Sequence, residues 1–250
     1  MKPALGYRLI EAPEHWHQIP SGEYLLELQN KIVSERLKMC FGRHLIKLGG
    51  LSSGLNSRDS LINHQVCLSP SQSNMTIGLL AELDDLPIQN NSVDLLMMAH
   101  TLEFSADPHQ QLREAHRALI ANGNLILSVF NPLSMLLLGK LWPFKSNKLF
   151  WKGRLFTVGR IKDWLHLLGF DVIEEQYCCY STLLGKDSPL DTGFISRMLS
   201  RFMPKLGSVC VITAKKREWP LTPIRPRIRY KAVFNPAVRS AGVSKVGIEK

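Results

Sequence analysis

No window of this 250-residue sequence reaches the roughly 18 consecutive apolar residues that a membrane-spanning helix needs. The longest apolar stretch, Leu133 to Phe144, is broken by Lys140 and ended by Pro143. Residues 1–20 lack the apolar core of a secretory leader, because Arg8, Glu11, Glu14 and several prolines interrupt them. Cysteine is scarce. The five residues Cys40, Cys67, Cys178, Cys179 and Cys210 are odd in number and sit in apolar, strand-like surroundings, which suits free thiols in a reducing compartment. The vicinal pair Cys178-Cys179 lacks the two-residue gap of a CxxC site, and no second Cys/His pair lies nearby, so no metal site is expected. Together these absences point to a cytoplasmic, globular chain, and 45% apolar residues suffice for a real core.

An excess of one charge is also missing from most of the chain. The net charge is +10, yet from Lys215 to Lys250 ten Lys or Arg face two Glu, which accounts for +8 and leaves +2 for Met1 to Ala214. A domain-wide basic face for nucleic acid is therefore excluded. The prolines and arginines beyond Arg217 predict an extended or disordered tail over 217–250, with RNA or an anionic membrane surface as its contacts, or solubility as its sole role.

What is present alternates between strand and helix patterns. After Pro20, Leu25, Leu28, Ile32, Leu37 and Cys40 recur at helical intervals, with Ser21 as the expected N-cap. HLIKLGG reads as a buried strand running into a tight turn, and HQVCLS and MTIGLLAEL as short strands, the last of which could equally start as a helical turn. SVDLLMMAH, broken only by Asp94, fits a strand covered on both faces. ADPHQQLREAHRALIANG predicts a helix that starts at Asp107-Pro108, buries Leu112, Ala115, Leu119 and Ile120, and closes at Asn122-Gly123. NLILSVFNP is a further strand, and TVGRIKDWLHLLGF a helix capped by Thr157 and stopped by Gly169. DVIEEQYCCY and GSVCVITAKK close the domain as strands. No crossover helix directly precedes the second, so it is expected to insert antiparallel at the edge of a parallel sheet.

The stretch from Ala81 to Pro132 carries an ordered set of features: Glu82, Leu86-Pro87, Val93-Asp94-Leu95, Leu102-Glu103, Asp107-Pro108, Leu112-Arg113-Glu114, Arg117-Ala118-Leu119 and Asn122-Gly123. In this it resembles the class I S-adenosylmethionine-dependent methyltransferases of the type 11 group, and the likeness reaches outward from about Gly22 to Lys215. Phe130-Asn131-Pro132 and Ser134 are similar to a bacterial branch of that family. The resemblance implies a Rossmann-like fold with a seven-stranded, mostly parallel sheet, an antiparallel last strand and helices on both faces. It implies an N-terminal extension over 1–20, a methyltransferase-like domain over 21–216, and the tail over 217–250. It further implies S-adenosylmethionine as cofactor and direct in-line methyl transfer, with a small molecule as the favoured acceptor.

The family's site residues carry over position by position. Leu48, Gly49 and Gly50 match the first loop, which holds the methionine part of the cofactor through backbone amides and a strand carboxylate. Lys47 replaces that acid, Leu51 stands at the second glycine, and Ser53 or Gly54 at the third, so the motif is degenerate. Ser69 occupies the place of the ribose-binding acid, or is a turn serine before Pro70. Glu82, flanked by Leu83, matches the acid that receives the adenine amino group, with Asp84 and Asp85 as rivals. His100 faces the expected gap between cofactor and acceptor, as general base, cofactor contact or structural residue. Leu133 to Phe144 reads as an apolar lid over the acceptor pocket or a membrane-surface contact. An alternative function is a catalytically inactive protein of the same fold that binds RNA, a membrane surface or a protein partner.

Overall fold

A computed structural model of the chain describes residues 12–19, 21–71, 78–134, 153–180, 201 and 203–218. The strands are β1 (His44–Leu48), β2 (His64–Ser69), β3 (Gly78–Leu80), β4 (Val93–Ala99), β5 (Leu119–Phe130), β6 (Phe170–Cys178) and β7 (Val209–Lys216). The α-helices among the described residues are α1 (Gly22–Leu37), α2 (Gly50–Ser53), α3 (Pro108–Ala118) and α4 (Val158–Leu167). The strands form one seven-stranded sheet in the order β3-β2-β1-β4-β5-β7-β6. Pairing is parallel from β3 through β5 and antiparallel on both sides of β7. The expected antiparallel strand is thus the last in the chain but not the outermost, since it slots between β5 and the edge strand β6.

Alternate residues of the central strands feed two cores. Ile46, Leu48, Leu96, Met98, Leu125 and Leu127 pack with Leu112 and Ala115 of α3 and with Ile161, Trp164 and Leu165 of α4. Leu45, Leu95 and Met97 pack on the other face with Leu25, Val33 and Leu37 of α1 and with Trp16. Each such side chain contributes about 1.5–3 kcal/mol by leaving water, so the sheet is buried on both faces as its continuous apolar strands require.

Three local expectations are revised. Ser21 precedes α1 in a left-handed conformation (φ 53°) and makes no side-chain cap to the first turn. The helix α3 starts as expected, with Asp107 accepting from the Gln110 N–H at 3.0 Å, but it ends at Ala118. Its last carbonyls are taken by other backbone: Arg117 and Ala118 accept from the Asn91 and Ser92 N–H groups at 3.0 and 2.9 Å. Leu119 then pairs with Val93 and Asn124 with Leu95, so Asn122-Gly123 forms a bulge inside β5 instead of a helix stop. The Leu112-Arg113-Glu114 and Arg117 positions turn out to be architectural. Glu114 accepts from the Leu86 N–H at 3.0 Å, and Arg117 donates to the carbonyls of Leu86 and Ile88 at 2.9 and 2.8 Å, which pins the Leu86-Pro87 turn to α3.

The chain divides into two units, Met1–Glu218 and Trp219–Lys250. The expected tail from Trp219 onward and the proposed lid beyond Ser134 lie outside the described residues. Among the described residues no helix is long and apolar enough to cross a membrane, and no group of His, Cys, Asp or Glu could hold a metal ion.

Candidate functional site

The sheet order reverses at β1, whose neighbours are β2 and β4, so the loops leaving the carboxyl ends of these strands diverge and open a crevice. A cavity of ≈ 420 Å³ lies there. Of the residues expected at the site, Gly49, Gly50, Ser69, Glu82, Leu83 and His100 all line it. Leu48 does not: it is fully buried in the sheet core, and its carbonyl accepts from the Ser52 hydroxyl.

The glycine loop is built by sterics. Gly49 takes φ 86°, and a Cβ there would meet Thr101 Cγ2 at 2.6 Å. Both facts demand glycine. A Cβ on Gly50 would meet the Glu14 backbone at 2.8 Å, so the amino-terminal segment lies directly on the loop. Leu51, which stands at the second glycine of the motif, is almost fully buried, and its carbonyl accepts from Trp16 Nε1 at 2.9 Å. Ser52 bridges the ends of β1 and β4 by receiving the Ala99 N–H at 2.7 Å. Ser53 Oγ turns back onto the Gly50 carbonyl.

Lys47 stands outside the cavity. It shares the α1 face of the sheet with Leu45, is buried, and donates from Nζ to the Leu55 carbonyl at 2.6 Å. Burial pushes its ammonium pKa below the usual lysine value. Lys47 therefore ties down the chain leaving α2 and faces no ligand. Lys47→Met is expected to change stability by less than about 1.5 kcal/mol, because a long apolar chain refills the space, and to leave ligand affinity unchanged, as a denaturant titration paired with calorimetry would read.

His100 is 1% exposed, lies in the left-handed region (φ 53°) and stacks on Phe130 with ring centroids 3.8 Å apart. Its Nε2 lies 3.0 Å from Gln29 Nε2 of α1, and its Nδ1 lies 3.4 Å from Glu103 Oε1. With the Gln29 amide donating to Nε2, Nδ1 carries the proton and faces the carboxylate. Glu103 Oε1 also accepts the Phe130 N–H at 2.7 Å. Both ring nitrogens of His100 are thus engaged inside the fold, the arrangement of a structural residue, one of its three readings.

Ser69 Oγ receives the Ser71 N–H at 3.4 Å, as in a turn, and the Ser69 carbonyl receives the Ala81 N–H at 3.1 Å, which extends the β2–β3 pairing. Glu82 is exposed at the cavity rim, whereas Asp84 is half-buried with Oδ1 lacking a hydrogen-bond partner among the described residues. Burial raises the Asp84 carboxyl above the ordinary value, with hydrogen bonding from Gln111 pulling the other way. Thr101 Oγ1 and Gln111 Oε1, also of cavity residues, are buried and lack a partner among the described residues. Sequence reasoning missed Ala12, Pro13, Glu14, Thr101 and Gln111. Thr101 adjoins His100 in the chain, but nothing in the composition of 12–19 marked it as part of a site.

Comparison with known proteins identifies the frame. A family model for the methyltransferase domain matches residues 59–127. The Escherichia coli (strain K12) uncharacterized protein YafS is 34% identical over 236 residues, covering 92% of this chain and 94% of that protein. The chain belongs to the class I S-adenosylmethionine-dependent methyltransferase family. Solved structures agree on the fold. The Mesorhizobium loti S-adenosylmethionine-dependent methyltransferase superposes with a TM-score of 0.53 at 17% identity, covering 76% of this chain and 99% of that one. The protein solved in complex with the Haloferax volcanii Trm112 methyltransferase activator gives a TM-score of 0.54 at 16% identity, covering 80% and 95%.

The residues of this methyltransferase fit the family's cofactor, S-adenosylmethionine. The cavity has the size of a small-molecule site. Its described lining includes the acidic residues Glu14, Glu82 and Asp84 and no Lys or Arg, which suits a ligand that is a net cation at neutral pH. The oxygens of Thr101, Asp84 and Gln111 that lack a partner among the described residues offer acceptors to a ligand.

Proposed function

We propose that this methyltransferase transfers a methyl group from S-adenosylmethionine to a small-molecule acceptor by direct in-line displacement. The observation that carries this reading is the convergence of Gly49, Gly50, Glu82, Leu83 and His100 on one cavity at the sheet's reversal point. When bound, the cofactor supplies a methyl group on a sulfonium, which passes to an acceptor lone pair while sulfur keeps the electrons of the broken S–C bond. The protein's part is binding and alignment, because the methyl group is already activated.

Each residue has a role under this reading. Gly49 lets the backbone approach the ligand. Leu83, half-buried against the sheet core, together with Pro70 makes the apolar slot for a flat base, and Glu82 or Asp84 accepts from the base's amino group. Ser69 holds the turn beneath the ribose. His100 acts as a positioning residue. Clamped between Gln29, Glu103 and Phe130, it forms a rigid wall beside Thr101 and takes no proton from the acceptor.

Calorimetry on the purified full chain with S-adenosylmethionine and with its demethylated product is the decisive test. Heat with both at micromolar to millimolar ligand is expected, and no heat with either sinks the enzyme reading. Incubation of a size-fractionated cell extract with methyl-labelled cofactor is then expected to label the low-molecular-weight fraction. Label confined to protein or RNA refutes the small-molecule acceptor.

A further inference from the structure

The glycine end of the cavity lacks the carboxylate expected from β1, yet an acidic residue, Glu14, is among those that line it. Lys47, which occupies that strand position, points to the far side of the sheet and is spent on the Leu55 carbonyl. Glu14 lines the cavity beside Gly49 and Gly50, with its backbone 2.8 Å from where a Gly50 Cβ would lie. Its position is fixed by the segment around it. The Glu14 N–H donates to Gln18 Oε1 at 2.8 Å, and two residues on, Trp16 Nε1 donates to the Leu51 carbonyl. Across the same end stands Thr101, 8% exposed, whose methyl fills the space above Gly49 and whose Oγ1 is buried without a partner among the described residues.

A carboxylate and a neutral oxygen acceptor around a narrow, Cβ-free backbone suit a compact cation that donates several hydrogen bonds, which is the character of an ammonium group. The other half of the cavity, with Pro70 and Leu83, is apolar and suits a flat ring instead. We infer that Glu14 and Thr101 form the seat for the α-ammonium of the cofactor's amino-acid part, so that a residue from outside the region matched by the family model supplies the charge that β1 does not. The assignment rests on the cofactor reading above.

The test compares two ligands on the full-length chain. S-adenosylmethionine carries the amino-acid part, whereas 5′-deoxy-5′-methylthioadenosine keeps the nucleoside and sulfur and lacks it. Glu14→Gln is expected to weaken S-adenosylmethionine and its demethylated product about tenfold or more, the effect of losing one charge-assisted hydrogen bond, and to leave 5′-deoxy-5′-methylthioadenosine affinity unchanged. Thr101→Val, which keeps the methyl contact over Gly49, is expected to show the same selectivity with a smaller loss. Unchanged S-adenosylmethionine affinity in Glu14→Gln, or an equal loss for both ligands, overturns the assignment while leaving the methyltransferase reading intact. Wild-type protein that binds neither ligand overturns both.

Discussion

Gly49→Val is expected to lose measurable S-adenosylmethionine binding and to lower Tm by roughly 5–15 °C. Gly49 sits at φ 86° and ψ 161°, a region essentially confined to glycine that costs a residue with a Cβ about 1–3 kcal/mol. A Cβ there meets Thr101 Cγ2 at 2.6 Å, and such overpacking adds about 1–3 kcal/mol. For a chain of this size each kcal/mol moves Tm by roughly 2–4 °C. Either resolution of the clash damages the cavity, since pushing Thr101 away or lifting the loop changes the end of the site where backbone must approach ligand. Thermal melts with and without cofactor read both effects. A variant that still gains stability from added S-adenosylmethionine as the wild type does would remove Gly49 from the site.

Glu103→Ala is expected to cost about 3 kcal/mol of stability, with Glu103→Gln costing less than about 1. Glu103 is 1% exposed, and its Oε1 receives both the Phe130 N–H and the His100 ring. Truncation removes the carboxylate that accepts the buried Phe130 amide and faces the His100 ring, a loss of about 1–3 kcal/mol, and opens a cavity beside His100 and Phe130 that adds to it. Glutamine keeps the accepting oxygen in place, so the two variants separate hydrogen bonding from charge. Urea titrations measure the difference, and faster amide exchange at Phe130 in the alanine variant alone would locate it. Equal costs for the two variants would show that the charge, not the acceptor, holds this corner together.

Those two residues also mark how far the sequence can be read. Gly49 was visible because a glycine after an apolar strand has a mechanical meaning independent of the rest of the chain. Glu103 and His100 were visible as a pair in one loop, but their partners Gln29 and Phe130 come from α1 and β5, about seventy and about thirty residues away. Whether an imidazole is a base or a wall depends on what fills its two nitrogens, and no local pattern states that. The same limit explains α3 and β5. The stripe Leu112, Ala115, Leu119, Ile120 favours a longer helix, yet donation from the Asn91 and Ser92 N–H groups to the carbonyls of Arg117 and Ala118 and the pairing of Leu119 with Val93 end it early.

By itself the sequence determined the strand and helix alternation, the parallel sheet with its late antiparallel strand, the family and its cofactor, and the cavity positions Gly49, Gly50, Ser69, Glu82, Leu83 and His100. These follow from periodicity, turn chemistry and short ordered motifs, which act between residues close in the chain. Only the tertiary structure decided that Lys47 faces away from the site, that His100 has no free nitrogen, and that Glu14 and Thr101 close the glycine end. Each of these depends on which face of the sheet a residue occupies and which distant segment lies across it. A degenerate glycine motif looked like a weakened site. In three dimensions the missing carboxylate has a candidate replacement, carried in by a segment with no motif of its own.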